Sequence, residues 1–550
     1  MTTAHTLAPM ARRKYWGWGY EGTEADADVV AFAEAALADR LGWNRRPPIV
    51  AVDASSLGLR DPRVSLPQAL AHLGAPDAHA RASHAYGKSY RDLVRALGGR
   101  FPQPPDIVAF PESEDDVVRL LDFAAKARVA VVPYGGGSSV CGGVETDVGD
   151  AFAGTVSMDL TRLDRVREID PVSRAARIQG GALGPVLEEQ LRPSGLTLRH
   201  YPQSFEHSTL GGWIATRAAG HFATLWTHVD ELVESVRVVT PSGILATRRL
   251  PGSGAGPSPE RLFCGSEGTL GIIVEAWMRL VARPTHRASA TVTFSTFAAG
   301  LTAVRSIAQS QLHPANARLL DPTEALLAGA GAGDVAVLVV GFESADHAVA
   351  GALDRALELA REAGGTAGPP KVRGPGDGAR GDDAEGKWRA AFLRGPYLRD
   401  ALVARGVFVE TYETATTWDR IDEIGDRVER AARAALGSVG ARAIVACRVT
   451  HAYADGCAPY WTVIAEAPDA VDPRERVAKQ VAQHDAVKAA VTDAILEAGG
   501  TSTHHHAVGR DVAPFWAKER DPLFERALRA VKRDLDPAGL LNPGVLFASP

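Results

Sequence analysis

The stretch Val131-Val-Pro-Tyr-Gly-Gly-Gly-Ser-Ser139 decides the fold class of this chain. A short apolar strand runs directly into three consecutive glycines and two serines. Because glycine has no Cβ, its backbone can approach a ligand closely, and successive amide N–H groups in such a loop can cradle a pyrophosphate. Glycine runs also mark ordinary turns, so the prediction of a pyrophosphate-binding loop depends on the segments that follow.

Two later segments repeat this pattern of small and hydroxylated residues. The second is Pro202-Gln-Ser-Phe-Glu-His-Ser-Thr-Leu-Gly-Gly-Trp213, continued by Thr216-Arg-Ala-Ala-Gly220, and the third is Gly265-Ser-Glu-Gly-Thr-Leu-Gly271. Residues of this kind suit a long, flat cofactor that carries phosphate. The expected cofactor-binding residues are Pro133, Tyr134, Gly135, Gly136, Gly137, Ser138, Ser139, Gln203, Ser204, Phe205, Glu206, His207, Ser208, Thr209, Thr216, Arg217, Ala218, Ala219, Glu267, Gly268, Thr269, Leu270, Gly271, Ile272 and Ile273.

The three segments, in this order, resemble the FAD-binding module of the vanillyl-alcohol oxidase and p-cresol methylhydroxylase superfamily. The resemblance implies an α+β fold, in which a two-part FAD-binding domain carries a separate α+β substrate (cap) domain. Covalent members often have a flavin-linked histidine in the glycine loop. Here Ser138 and Ser139 occupy that stretch, so we expect FAD to be held noncovalently.

Strand, helix and turn patterns divide the chain into four parts. We expect an N-terminal helical region at 1–104, the FAD-binding domain at 105–284, the substrate domain at 285–500 and a C-terminal segment at 501–550 that completes the active site. A Gly-, Pro- and Asp-rich stretch at 364–387 predicts a mobile surface loop.

A closer resemblance extends from Trp16-Gly-Trp-Gly-Tyr20 to Asn542-Pro-Gly544, and it is to the alkyldihydroxyacetonephosphate synthase family. It implies that Arg399, in Tyr397-Leu-Arg-Asp400, binds a substrate acyl or carboxylate group. It also implies a catalytic role for Tyr460, which ends the stretch from Cys447. The catalytic set implied by the resemblance is Tyr460, His504, His505 and His506.

This family resemblance implies an exchange without net redox in the synthesis of ether lipids. The acyl group of acyl-dihydroxyacetone phosphate leaves as a fatty acid, and a fatty alcohol supplies the new ether oxygen. Tyr460 would take a proton from the substrate C1. Since an unperturbed tyrosine titrates near pKa ~10, it needs neighbouring positive charge, which we expect the histidines to supply or relay.

Three adjacent histidines also suggest a metal site. In an extended segment, however, His504 and His506 would share one face while His505 points away. Three ligands to one ion would then be awkward, and we predict no metal site. The histidines are followed by Ala507-Val-Gly-Arg-Asp511, where the family usually has glycine first and Lys-Leu-Arg last, so phosphate recognition is expected to differ around Arg510.

Two alternatives remain at this point. The first is an FAD-dependent dehydrogenase of a D-2-hydroxy acid or a related alcohol, although Tyr460 stands where such relatives usually have the histidine of a Gly-Asp-Gly-Asn-x-His segment. The second is a flavin-free binding protein that keeps the fold, because a fold alone does not determine function. Intact glycine and hydroxyl residues in all three cofactor segments argue against the second alternative.

Composition limits the partners and the location. The net charge of −6 comes from mixed charges without a polybasic stripe, which argues against nucleic-acid binding. Four cysteines without a Cys-x-x-Cys pair favour a reducing cytoplasm, and the excess of arginine over lysine favours a bacterial source. We expect a small-molecule lipid substrate, peripheral membrane contact and a homodimer.

Overall fold

The computed structural model describes residues 12–377 and 384–547, and within 384–392 it describes the backbone alone. The described residues form the α-helices α1 Ala27–Leu41, α2 Ala78–Ser83, α3 Tyr90–Leu97, α4 Glu114–Ala127, α5 Gly184–Leu191, α6 Leu210–Thr216, α7 Phe297–Gln309, α8 Pro322–Leu327, α9 Ala350–Glu362, α10 Ala384–Val403, α11 Ile421–Gly437, α12 Pro473–Glu497, α13 Ala513–Glu519 and α14 Pro522–Leu535.

The strands are β1 Gly74–Ala75, β2 Ile107–Ala109, β3 Val129–Tyr134, β4 Gly154–Asp159, β5 Val166–Asp170, β6 Ala175–Gln179, β7 Leu196–Thr197, β8 Val233–Thr240, β9 Gly243–Ala246, β10 Ile272–Arg279, β11 Val281–Ala282, β12 His286–Phe294, β13 Asn316–Leu320, β14 Ala336–Ser344, β15 Thr366–Ala367, β16 Lys371–Arg373, β17 Val407–Glu413, β18 Thr416–Thr417, β19 Ala443–Ala452 and β20 Gly456–Glu466.

A four-stranded sheet, in the order β1-β2-β4-β3, carries the glycine loop at its edge. Strands β2 and β3 run parallel to β4, and α4 connects β2 to β3. The helix begins where Ser113 accepts a hydrogen bond from the Asp116 amide at 3.2 Å, and its apolar face buries Val117, Leu120 and Leu121. Because β3 is buried almost throughout, its end at Tyr134 fixes the position of the loop.

A five-stranded antiparallel sheet, in the order β5-β6-β10-β8-β9, forms the second part of the FAD-binding unit. One hydrophobic core joins the two sheets, since it contains Val131 of β3 together with Val239 and Ile272. Leu540 and Leu541 pack into the same core. The C-terminal segment therefore helps to close the FAD-binding unit.

A nine-stranded antiparallel sheet forms the substrate unit, with the path β15-β12-β14-β13-β19-β20-β17 and with β16 and β18 paired at its edges. Helices α7 and α9 contact its β12 end, whereas α11 and α12 contact β19 and β17. Strand β19 reaches the FAD-binding unit, where the Ala452 amide donates to the Ala223 carbonyl at 2.8 Å.

The prediction of a loop at 364–387 is wrong in part, because β15 and β16 pair with β12 and α10 begins at Ala384. Positions 378–383 of this stretch lie outside the described residues. Positions 1–11 of the predicted N-terminal region also lie outside them. The last strand before the nine-stranded sheet, β11, ends at Ala282, and the first strand of that sheet, β12, begins at His286. The division of the chain into four parts stays a prediction. No described helix is both long and apolar enough to cross a bilayer.

Candidate active site

The glycine loop follows β3 and packs directly against the second cofactor segment. A Cβ on Gly136 would lie 1.6 Å from the carbonyl oxygen of His207, and one on Gly135 would lie 2.2 Å from Thr209 Oγ1. Gly137 has φ +69°, a left-handed conformation that glycine adopts freely. The loop therefore requires glycine at these positions for steric and conformational reasons.

The second segment is held by its own hydroxyl groups. Ser208 Oγ accepts a 2.6 Å hydrogen bond from Trp213 Nε1 and donates to the Ser204 carbonyl. Next to it, His207 Nε2 lies 2.7 Å from the Tyr397 hydroxyl of α10. Hydrogen bonds thus connect residues within the second segment and also connect the segment to α10, the helix that carries Arg399.

Glu267 links the third cofactor segment to the histidine segment. Its buried carboxylate accepts hydrogen bonds from the amides of Val508 at 2.9 Å and Gly509 at 2.8 Å, and Asn542 Nδ2 donates to the Glu267 carbonyl at 2.7 Å. Burial raises the pKa of Glu267 to about 7. The Glu267 side chain therefore positions the chain around 508, a role that the sequence did not indicate.

The cofactor segments fit FAD through their backbones. The glycine loop leaves no room for side chains, and the buried Ser266 hydroxyl has no hydrogen-bond partner within the described part of the chain. The side chains of Leu270, Ile272 and Ile273 pack into the hydrophobic cores. The side chains of these three predicted binding residues are therefore taken up by core packing.

Tyr460 lies in the middle of three neighbouring strands, between a cation and a carboxylate. It is the direct partner of Arg448 on β19 and of Glu413 on β17. Direct partners in an antiparallel pair have side chains on the same face. The Arg448 guanidinium lies over the Tyr460 ring, 3.9 Å from its centre, and also bonds to Glu324 at 2.5 Å.

These neighbours affect the acidity of Tyr460. Burial raises the pKa of the Tyr460 phenol above its ordinary value, and Glu413 adds to the rise. Arg448, a hydrogen bond with Thr411 and, to a smaller extent, Arg399 act in the opposite direction without offsetting burial. The positive charge beside the phenol is that of Arg448. Burial lowers the pKa of His504 well below its usual value and that of His506 to about 3, so these two rings are neutral at pH 7 and add no positive charge. A relay through the histidines stays a prediction.

Glu413 clamps the histidine segment. Its carboxylate accepts hydrogen bonds from Thr503 Oγ1 at 2.6 Å, from the His504 amide at 2.7 Å and from the His506 amide at 3.2 Å, and the His505 amide also donates to it. Because these amides converge on one carboxylate, the segment is bent. The predicted alternation of faces is therefore wrong: His504 Nδ1 and His505 Nδ1 are only 3.0 Å apart.

Arg399 projects from α10 toward the same region. Its guanidinium donates to the carbonyls of Lys88 at 2.8 Å and Val409 at 3.3 Å, and its Nη2 lies 3.7 Å from Glu410 Oε2. Five N–H donors in a guanidinium leave some for a ligand. By contrast, Arg510 donates to the carbonyls of Glu145 and Pro543, so it holds the C-terminal segment in place.

Comparison with known proteins identifies the family. An FAD binding domain model matches residues 105–248, and the model "FAD linked oxidases, C-terminal domain" matches residues 283–546. The alkyldihydroxyacetonephosphate synthase of Dictyostelium discoideum is 31% identical over 498 residues, covering 86% of this chain and 78% of that protein. The chain belongs to the alkyldihydroxyacetonephosphate synthase family. With its matched FAD binding domain, the chain is an FAD-dependent enzyme.

Solved structures agree with this assignment. A structure of alkyldihydroxyacetonephosphate synthase superposes with a TM-score of 0.78 and 26% identity, covering 97% of this chain and 98% of that one. p-Cresol methylhydroxylase, at 14% identity, has a TM-score of 0.64 and covers 87% of this chain and 94% of its own, which shows a shared fold. The predicted family, the α+β fold class and FAD are therefore confirmed.

Proposed function

We propose that this chain exchanges the acyl chain of acyl-dihydroxyacetone phosphate for a fatty alcohol, as the family resemblance implies, with FAD held noncovalently. The observation that carries the proposal is the position of Tyr460, a buried phenol that lies beneath the Arg448 guanidinium. Reduced FAD, when bound, supplies the nucleophile for the exchange at C1.

Tyr460 is suited to moving the C1 proton. Because Arg448 partly offsets the effect of burial on the phenol, a phenolate formed at Tyr460 can take the proton while the substrate reacts and return it once the alcohol oxygen has bonded to C1. Because neither step transfers electrons to an acceptor, the reaction needs no external oxidant.

Arg399 is suited to the departing carboxylate. Its guanidinium is already oriented by two backbone carbonyls, which lowers the entropy cost of aligning it with an anion. The buried Glu413 clamp holds the histidine segment against Tyr460, since the ring centres of Tyr460 and His506 lie 5.5 Å apart. We assign the histidines to substrate positioning.

The experiment supplies acyl-dihydroxyacetone phosphate and a long-chain alcohol to the purified flavoprotein without an electron acceptor. Alkyl product should form together with an equal amount of fatty acid. Acid precipitation should release the flavin into the supernatant if FAD is noncovalent. Flavin that stays with the pellet would contradict that part of the proposal.

The second candidate is oxidation of a D-2-hydroxy acid or a related alcohol. It is favoured by the match of residues 283–546 to the C-terminal domain of FAD linked oxidases. The same preparation distinguishes the two: bleaching of the flavin by a 2-hydroxy acid and reoxidation by a dye, without alkyl product, would replace the transferase proposal. A bacterial cytoplasmic location, peripheral membrane contact and a homodimer stay predictions.

A further inference from the structure

We propose that His451, His504 and His505 form a binding site for one divalent transition-metal ion of the Zn²⁺ or Co²⁺ type. Taking one ring nitrogen from each residue, the three atoms all lie within 4.8 Å of one another. The histidines come from β19 and from the bent segment after α12, so the site exists only in the folded chain. This revises the prediction that the chain has no metal site.

The two ring nitrogens of His451 are placed as in a typical metal-binding histidine. Its Nε2 lies 3.1 Å from the Gly220 carbonyl, which accepts the N–H and fixes the tautomer. The opposite atom, Nδ1, is buried and has no hydrogen-bond partner in the part of the chain that the structure describes. A histidine that donates one N–H to a carbonyl and keeps the other nitrogen as a lone pair is the usual form of a metal ligand.

His505 has a comparable second partner. Its Nδ1 lies 3.3 Å from Glu413 Oε2, so the carboxylate can orient this ring as the carbonyl orients His451. His504 Nε2 lies 2.6 Å from the Tyr453 hydroxyl and 3.2 Å from His228 Nε2. His451 and His504 thus each have a partner on one ring nitrogen, and His505 Nδ1 lies near both Glu413 and His504 Nδ1.

The distances are close to those of a coordinated ion. With Zn–N bonds of about 2.0–2.1 Å, tetrahedral ligand atoms lie roughly 3.3 Å apart, so the widest pair would have to close by about 1.5 Å. Side-chain rotation of the partly exposed His504 and His505 can provide this movement. Imidazole nitrogens without a carboxylate cage favour Zn²⁺, Co²⁺ or Ni²⁺ over Ca²⁺ or Mg²⁺.

The ion would lie next to the proposed catalytic residues, because the ring centres of His505 and Tyr460 are 6.0 Å apart. The inference nevertheless does not depend on the transferase reaction, since its readout is metal binding. If the cluster is instead only a hydrogen-bonded relay, the same histidines are present but no ion is retained. The two possibilities give opposite results in the following experiment.

Holoenzyme is first dialysed against a chelator and then titrated with Co²⁺ or Zn²⁺, with metal per chain measured after gel filtration. The variant His451→Gln keeps an N–H donor for the Gly220 carbonyl but removes the ring nitrogen. The matched control is His484→Gln, which changes a buried histidine outside the trio. Flavin content and circular dichroism report whether each variant is folded.

We expect one retained ion per chain, Co²⁺ bands at longer wavelength than the flavin, and unchanged binding in His484→Gln. In His451→Gln the affinity should fall by more than the about 10- to 100-fold that loss of an outer partner costs. Absence of retained metal in the unmodified holoenzyme, or equal binding by a folded His451→Gln variant, overturns the proposal. If that variant does not fold, Cu²⁺ bound to the unmodified protein should show nitrogen hyperfine coupling from imidazoles, and its absence overturns the proposal equally.

Discussion

Arg448 and Tyr460 are direct partners across β19 and β20, and the guanidinium carbon lies 3.9 Å from the centre of the tyrosine ring. Glu413 is the partner of Tyr460 on the other side, in β17. A cation, a phenol and a carboxylate are therefore aligned on one face of a sheet. Because the register of the strands fixes the alignment, each residue can be tested by a substitution that leaves the backbone unchanged.

The first prediction concerns the phenol. Tyr460→Phe should lower the rate of alkyl product formation by about 10²- to 10⁴-fold, the usual contribution of a positioned acid-base group, while FAD stays bound. The matched control is Tyr412→Phe, which removes a buried hydroxyl from β17 that has no hydrogen-bond partner among the described residues. Loss of flavin from Tyr460→Phe would indicate a structural role.

The second prediction concerns the cation. Replacing Arg448 alone would leave Glu324 buried without its partner, so the double variant Arg448→Gln/Glu324→Gln is compared with Glu324→Gln. Without the guanidinium the pKa of Tyr460 should rise, and the acidic limb of the rate profile should move to higher pH. Identical profiles for the two variants would show that Arg448 does not act on the phenol.

Local patterns in the sequence predicted the elements that depend on neighbouring residues. The glycine loop follows β3 as expected, because a buried apolar strand and a glycine run are both readable within ten residues. The helix after Ser113 is equally local. The three cofactor segments could be combined only through the family resemblance, since their contact at His207 and Gly136 joins residues 71 positions apart.

The environment of the histidines could not be read in the same way. Alternating faces assume an extended backbone, whereas Glu413, some 90 positions earlier, draws the amides of His504 and His506 onto one carboxylate. The register between β17 and β20 that brings Glu413 to this place is a non-local property. For the same reason the roles of Arg448 and His451, both inside the stretch that ends at Tyr460, had no signal of their own.

The third prediction tests the glycine loop. Gly136→Ala should displace the loop from the second segment, because the new Cβ would lie 1.6 Å from the His207 carbonyl oxygen. We expect loss of bound FAD and a destabilisation of about 1–3 kcal/mol, measured by flavin content and by denaturant unfolding. The control Gly351→Ala lies on α9 with open space around it, and it should keep FAD and its stability.

The fourth prediction concerns pH and stability. Although burial opposes it, hydrogen bonds with Asp485 and Glu410 raise the pKa of His484 to about 9. A raised histidine pKa stabilises the fold fully below about pH 6.5 and loses this effect as pH rises through 9. The free energy of unfolding should therefore fall by about 3 kcal/mol over that range, relative to His484→Gln. Parallel pH curves for the two proteins would contradict the prediction.

The fifth prediction concerns the clamp on the histidine segment. In Glu413→Gln an NH₂ group replaces one acceptor oxygen and faces N–H donors. The free energy of unfolding should therefore fall by about 1–3 kcal/mol, and turnover should fall as well. The matched control is Glu188→Gln, since Glu188 is also a buried carboxylate that accepts from a threonine hydroxyl and from backbone amides, at Leu198 and Arg199 in the FAD-binding unit. We expect both variants to lose stability, but only Glu413→Gln to lose activity per folded, flavin-loaded molecule. Equal activity in the two would mean that the clamp stabilises the fold without positioning the histidines beside Tyr460.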